Sequence, residues 1–460
     1  MTGSAAAGRA PRARAGTRTR TEPAPTRPRT GPVPERRSPS RGVAITGIGV
    51  LAPGAPGTRG FWETITAGRP TFRTITAFDP APFRSRVAAE IDFDPARYGL
   101  TLRQRRRMDR AAQFAVVTAR EALTASGLPL GDLDPGRVGV AVGSAVGCTI
   151  SLDREYAIVS DGGRLPVVDP AYASPHLPDY FVPASLAREV AWEIGAEGPA
   201  CVVSTGCTSG LDAVAHGVEL VREGSADAVL AGATDAPISP ITVACFDAIR
   251  ATSADNDDPP RACRPFDATR SGFVLGEGAA MLVLEDLAAA RARGAPVVAE
   301  IRGFASRCNA YHMTGLRPDG AEMAAAIEAA LEGARVPVEG VDYINAHGSG
   351  TRQNDRHETA AFKRALGEHA RHVPVSSIKS VIGHSLGAIG AIEVAASALA
   401  IANGVVPPTA NWRNRDPECD LDYVPGVARE QRIGTVLTVG SGFGGFQSAM
   451  VLSAPGRWRP

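Results

Sequence analysis

The sequence predicts an α/β fold built from two similar halves. Three observations carry this reading. Short apolar runs alternate with helical patterns along the chain, the plan restarts near residue 296, and the strand-turn-helix unit at Val202 to Val221 recurs at Lys379 to Leu399. The predicted organisation is an Arg/Pro-rich tail over 1–40, a first half over 41–295 and a second half over 296–455.

The first half opens with Val43-Ala-Ile-Thr-Gly-Ile-Gly, a short buried strand closing on glycines. A helix is predicted from Leu102 to Ser126, with Met108, Ala111, Phe114, Ala115 and Ala122 facing inward, followed by a strand at Val138-Gly-Val-Ala-Val-Gly. An apolar strand then runs into Cys207. The helix after it places Leu211, Val214, Val218 and Val221 on one face and stops at Gly224. A strand at Ala228 and an alanine-rich helix at Leu287 to Arg293 complete this half, the whole reading as mostly parallel sheet. The second half runs from Val297 through a strand at Val341 to Ala346 that ends at His347. A further strand at Pro374 to Lys379 leads to a helix with Ile389, Ile392, Ala396 and Leu399 on one face. Thr435-Val-Leu-Thr-Val-Gly then enters a glycine-rich turn. If each half buries one face of a central helix pair, the reactive residues fall at corresponding turns.

A chain of 460 residues, 44% of them hydrophobic and 50 of them glycine, can bury a large core between many tight loops. Seven cysteines without regular spacing argue against a disulfide framework or a metal site. No secretory segment and no span of about twenty apolar residues is evident, so a cytoplasmic protein that neither crosses nor binds a membrane is expected. Residues 1–40 carry nine arginines against Glu22 and Glu35, with seven prolines and few large apolar side chains. Such a segment cannot bury a core, and its prolines forbid a long amphipathic helix. It reads as a disordered, inert tail with no nucleic-acid role. Of 49 basic residues only Lys363 and Lys379 are lysines. In a chain so biased towards arginine, a lysine suggests a site that needs a compact, rotatable ammonium, and Lys379 has the more suggestive setting.

The placement of Cys207 between a strand and a helix is the one that makes a thiol a nucleophile. A helix N-terminus offers free N–H groups and the positive end of the macrodipole, so the thiolate is expected to be favoured there. Three further segments could serve it. Asn345-Ala-His-Gly-Ser-Gly-Thr-Arg-Gln-Asn-Asp places His347 at a strand end and leads to Asp355 and Glu358. Ser377-Ile-Lys-Ser-Val-Ile-Gly-His sets Lys379 and His384 one turn apart. Gly440-Ser-Gly-Phe-Gly-Gly-Phe supplies backbone N–H groups that can approach a ligand closely.

In this order the four segments resemble the β-ketoacyl synthases of the thiolase superfamily, over residues 41 to 455. The wording of Ser204-Thr-Gly-Cys-Thr-Ser-Gly-Leu-Asp, Cys308-Asn-Ala-Tyr-His-Met-Thr-Gly-Leu and Asn345-Ala-His-Gly-Ser-Gly-Thr-Arg-Gln-Asn-Asp is most similar to the alpha ketosynthase of bacterial type II aromatic polyketide synthases. The resemblance implies a duplicated thiolase-like fold, layered α/β/α/β/α, and a decarboxylative Claisen condensation that adds malonyl units from acyl carrier protein. It implies Cys207 as the acyl-accepting nucleophile and His347 and His384 as donors to the malonyl thioester. Lys379 paired with Glu358, and Asp355 near them, would support the histidines. The N–H groups of Cys207 and Phe443 would form an oxyanion hole with Phe443 gating the acyl tunnel, and Ser349 and Thr351 would bind pantetheine. No metal and no resident cofactor is implied, since the substrates ride on the phosphopantetheine of the carrier protein. The implied partners are the carrier protein and a chain-length factor, the relative that lacks the cysteine. His312 reads as structural.

Two neighbouring readings share these motifs: a ketosynthase of type II fatty acid synthesis, and a thiolase-type acyltransferase using coenzyme A, which the pair of histidines disfavours. A cysteine protease or a non-catalytic scaffold fits the set poorly. The run Arg105-Arg-Arg with Arg103 and Arg110 is either a carrier-protein dock or a solvated helix face.

Overall fold

Val43–Leu51 (β1) lies at the middle of a ten-stranded sheet, completely enclosed. The computed structural model describes residues 42–165 and 168–458, and these belong to one compact unit. The tail expected over 1–40 lies outside the described residues. After β1 the first half contributes Val138–Gly143 (β2), Ala200–Val203 (β3), Ala228–Asp235 (β4) and Gly278–Asp286 (β5). The second contributes Ala299–Cys308 (β6), Tyr343–Asn345 (β7), Val375–Ser376 (β8), Thr435–Gly442 (β9) and Phe446–Ser453 (β10). Across the sheet the order is β8-β7-β9-β10-β6-β1-β5-β4-β2-β3. Reading outward from the centre gives β1-β5-β4-β2-β3 on one side and β6-β10-β9-β7-β8 on the other, the same order twice.

Strand directions repeat as well. β4, β2 and β3 run parallel, as do β9, β7 and β8, whereas the inner pairings β4–β5, β5–β1, β1–β6, β6–β10 and β10–β9 are antiparallel. The sheet is therefore mixed, not mostly parallel as its pattern suggested. The reason is visible at β9–β10: a connection of three residues, Phe443 to Gly445, can join only antiparallel neighbours, while a parallel pair needs a crossover. The two halves meet through Val43↔Ile301, Ala44↔Glu300 and Ile45↔Ala299.

Helices sort the same way. Arg110–Ser126 (α1) and Ser185–Ile194 (α2) cover the outer face of the first half, and Ala321–Ala334 (α4) with Arg352–Leu366 (α5) cover that of the second. Ser209–Arg222 (α3) and Ile389–Asn403 (α6) lie between, each touching strands of both halves. The helix read as continuous from Leu102 is in fact two. Leu102–Arg107 begins with a capping box from Thr101 and Gln104, and α1 restarts after Asp109, whose carboxylate caps Ala111. The strand read through Lys379 ends at Ser376, and Lys379 opens a single helical turn, Lys379–Ile382.

The segment Leu386–Asn403, which contains α6, has a mean hydropathy of 1.6 over 18 residues, long and apolar enough to cross a membrane, contrary to the expectation that no such span is present. It is 83% buried inside the protein, as suits an apolar helix sandwiched between two sheet halves. Where α3 and α6 cross, only glycine fits. A Cβ on Gly210 would lie 2.4 Å from the Ala391 nitrogen, and one on Gly390 would lie 2.7 Å from the Leu211 nitrogen. Gly210→Ala should therefore cost about 1–3 kcal/mol or more as overpacking in a core that cannot yield. Thermal denaturation against wild type measures this, and an unchanged melting temperature would contradict the tight crossing.

Candidate active site

The crossing brings two corresponding turns together. Gly206–Thr208 precedes α3 and carries Cys207, and Leu386–Ala388 precedes α6 just after His384. Gly206 and Leu386 both have left-handed backbone, φ 64° and 50°. Beside them opens a cavity of about 500 Å3 whose wall includes Cys207, His347, His384, Ser349, Thr351 and Phe443. The structure thus gathers the sequence-predicted residues from four separate segments into one place.

Cys207 is half-buried in this wall. The N–H of Phe443 donates to its sulfur, and the Asp212 carboxylate accepts from the hydroxyls of Thr205 and Thr208 on either side, fixing the turn. Gly442 presses so close that a Cβ there would lie 3.3 Å from the Cys207 nitrogen. The strand end that leads to Phe443 is thereby packed against the Cys207 backbone. The thiol itself differs from expectation. Burial pushes it up to about 12, against the pull of Lys379 and the Phe443 N–H, with Asp235 and Glu393 adding to the rise. Desolvation outweighs both pulls, so the resting group is a thiol and not a thiolate.

His347 follows β7 and His384 lies two residues beyond the turn at Lys379–Ile382. Their rings stand 5.2 Å apart at 81°. Burial first, then the Lys379 charge, holds both well below the usual imidazole range, and each is neutral. His384 Nδ1 accepts the Leu386 N–H at 3.2 Å, which leaves the ring proton on Nε2. The Phe273 ring packs edge-on against His384 at 5.2 Å.

Lys379 is completely buried. Its ammonium donates to the His347 carbonyl at 2.5 Å and to the carboxylate of Glu393. This corrects the expected pairing with Glu358. Glu358 instead accepts the backbone N–H groups of His347 and Gly348, at 2.5 and 2.7 Å, and burial pushes it up to about 8 despite them. Glu393 was missed, although it is the lone acidic residue in the apolar run of α6 and so had a visible signal. Asp355 accepts from Phe266 N–H at 2.7 Å and Gly350 N–H at 3.2 Å and pairs with the buried Arg270 at 3.2 Å, holding the His347 loop to the wall. Ser349 and Thr351 line the cavity but bond each other at 3.0 Å, and the Thr351 hydroxyl also caps α5 through Asn354. His312 is exposed and accepts the N–H groups of Thr314 and Gly315 within its own turn.

Of the arginine run, Arg107 is drawn to Glu189 and stacks on Trp192 at 5.1 Å, and Arg110 is forked onto Glu277. Two of the five are therefore held by the fold rather than offered to a partner. Two exposed arginines, Arg250 and Arg352, lie on the cavity wall with Cys207.

A thiol that shares a cavity wall with two neutral imidazoles, on a doubled α/β scaffold, fits a condensing enzyme of the thiolase-like fold. The chain belongs to the β-ketoacyl synthase family: residues 40–290 match the N-terminal domain of that family and residues 298–413 its C-terminal domain. It is an acyltransferase of the β-ketoacyl synthase type. It is 68% identical over 419 residues to the tetracenomycin polyketide synthase ketoacyl synthase alpha subunit of Streptomyces glaucescens, covering 91% of this chain and 98% of that protein. Among solved structures it resembles a type II polyketide synthase ketosynthase bound to the hexaketide and in complex with its acyl-carrier protein. The TM-score is 0.85 at 37% identity, over 90% of this chain and all of the other. It also resembles the ishigamide ketosynthase/chain length factor, with a TM-score of 0.83 at 35% identity over 91% and 100% of the two chains.

A thiol raised this far reacts only through its small thiolate fraction. Alkylation of Cys207 by iodoacetamide should therefore accelerate by about tenfold per pH unit between roughly pH 7 and 9, without levelling off. Peptide mapping of modified Cys207 follows the rate; a plateau near neutrality would show an activated thiolate.

Proposed function

We propose that this chain is the condensing subunit of a type II polyketide synthase, and that its cavity performs both half-reactions of chain extension. The observation that supports it most directly is the pair of neutral histidines in contact distance of each other on the same cavity wall as Cys207. In the first half-reaction Cys207 takes the acyl chain from the carrier protein: a new C–S bond forms to Cys207, and the pantetheine thiol leaves with the proton. In the second, the malonyl thioester carbonyl sits against the N–H groups of His347 and His384. Carbon dioxide departs, the electron pair of the broken C–C bond becomes an enolate, and the imidazole donors stabilise charge that was absent from the ground state. The enolate carbon attacks the Cys207 thioester. The tetrahedral oxyanion is held by the N–H groups of Cys207 and Phe443, and collapse returns the sulfur with its electron pair.

Neutral imidazoles suit this work, since an imidazolium would protonate the enolate it should only solvate. Burial and the Lys379 charge keep them neutral, and the same ammonium anchors the His347 backbone. Ser349 and Thr351 bind the pantetheine arm, and Phe443 gates the acyl chain. The chemistry needs no resident cofactor, because the activated carbon arrives on the carrier's phosphopantetheine. Arg250 and Arg352 at the cavity mouth, more than the Arg105 run, suit the acidic surface expected of a carrier protein. A chain-length factor is the proposed second subunit. Exposed Tyr156, Tyr172 and Phe181 on the first half are apolar side chains of the kind a partner covers. The similarity to polyketide alpha subunits favours this product class over fatty acid synthesis. The pair works in the cytoplasm.

Cys207→Ala should abolish condensation yet still release carbon dioxide from malonyl carrier protein, and do so at pH values below the ordinary imidazole range. His347→Ala and His384→Ala should each slow that release by about a hundredfold or more, the scale of one lost oxyanion donor, while Cys207 remains acylated. Full decarboxylation in either histidine variant would overturn the assignment. Purified alone, the chain should accept an acyl group but make little long polyketide. Addition of its chain-length factor should restore synthesis, and a full-length product from the isolated chain would indicate a self-sufficient homodimer.

A further inference from the structure

The duplicated fold gives the nucleophile turn a counterpart. Position 387 in the turn before α6 corresponds to position 207 in the turn before α3, and Leu386, like Gly206, is left-handed. In the first half the N–H at this position belongs to Cys207, which lines the cavity. In the second half it belongs to Gly387, and it donates at 2.7 Å to Oδ2 of Asp235. Asp235 ends β4, is completely buried, and also accepts from Ala145 N–H at 2.9 Å, Val146 N–H at 3.2 Å and the Ser144 hydroxyl at 2.6 Å. A carboxylate thus occupies, permanently, the place where the first half would hold the oxyanion of a thioester. The fit is close: a Cβ on Gly387 would lie 2.6 Å from Oδ2 and 2.4 Å from the Ala145 nitrogen.

We propose that Asp235 is a positioning residue for His384, a built-in anion that clamps the Leu386–Gly387 turn and through it sets which nitrogen of His384 carries the proton. The chain of contacts is short. Asp235 holds the Gly387 N–H; this keeps Leu386, a branched residue 1% exposed, in a left-handed conformation that is unfavourable on its own. With Leu386 so held, its N–H points at His384 Nδ1, and Nε2–H is the nitrogen left to donate to the malonyl thioester. The same carboxylate grips Ala145 and Val146. These pack with Leu386, Phe246, Phe273 and Phe443 in one apolar cluster, so the wall beside the acyl chain and the turn behind His384 are tied to a single group.

This inference rests on the assignment of His384 to malonyl decarboxylation, and the test separates the two. Asp235→Asn, Gly387→Ala and His384→Ala are prepared in the full chain, together with the double variants that combine each of the first two with His384→Ala. Decarboxylation of malonyl carrier protein is measured as kcat and KM, and Cys207 alkylation reports that the nucleophile turn is intact. Asp235→Asn places an amide against four donors and Gly387→Ala wedges the clamp open from the other side, so either variant tests the contact if the other folds poorly. Each should lower kcat about tenfold or more with KM within threefold of wild type, and neither should add to the loss already caused by His384→Ala, as expected of residues acting through one group. Decarboxylation within twofold of wild type in both single variants, or losses that multiply with that of His384→Ala, would overturn the clamp. Undiminished decarboxylation in His384→Ala itself would instead remove the reading on which it rests.

Discussion

The backbone contact of α3 and α6 at Gly210 and Gly390 is the constraint on which the site depends. Two helices that approach this closely bring their N-terminal turns within reach, and each turn carries one of the reactive groups: Cys207 on the first, and on the second the Leu386 N–H that orients His384. Side chains at either glycine would separate the helices and with them the two half-reactions. The apolar faces of both helices, buried between the sheet halves, provide the driving force that holds the contact shut.

Electrostatics in this enclosed space follow from desolvation more than from any one neighbour. Burial moves every group towards its neutral form: the thiol rises, the histidines fall, and Glu358 and Asp235 rise. Lys379, within hydrogen-bonding reach of Glu393, stands among these groups. A single cation fixed among neutral donors disfavours a second positive charge on either imidazole, and it attracts the charge that appears on the enolate. Neutral donors beside a fixed cation are preorganised for a negatively charged transition state.

Duplication supplies the scaffold and asymmetry supplies the function. Both halves repeat the order and direction of their strands, and both place a turn before the central helix. At one turn stands Cys207; at the other, a carboxylate has taken the corresponding N–H and a histidine stands beside it. The hairpin Phe443 to Gly445 closes the first turn where Asp235 closes the second. The halves therefore offer equivalent positions, one lining the cavity and the other filled by the protein's own carboxylate.

Much of this was determined by the sequence alone. The alternation of elements, the restart near residue 296, the placement of Cys207 and the motif order are local patterns, set by period, turn chemistry and the spacing of a few residues. Strand direction was not legible, because a run of apolar residues reads the same whether its neighbour is parallel or antiparallel. The break at Met108–Asp109 was hidden because apolar spacing continues across it while the cap does not. The partner of Lys379 was decided in three dimensions. Glu358 and Glu393 both lie near in sequence, and only the crossing of α6 behind the cavity puts Glu393 against the ammonium while Glu358 turns to the backbone of the His347 loop. The state of the thiol was likewise a tertiary matter: a helix terminus beside Cys207 can be read from sequence, but the depth of burial that raises the thiol exists only once the two halves have closed around it.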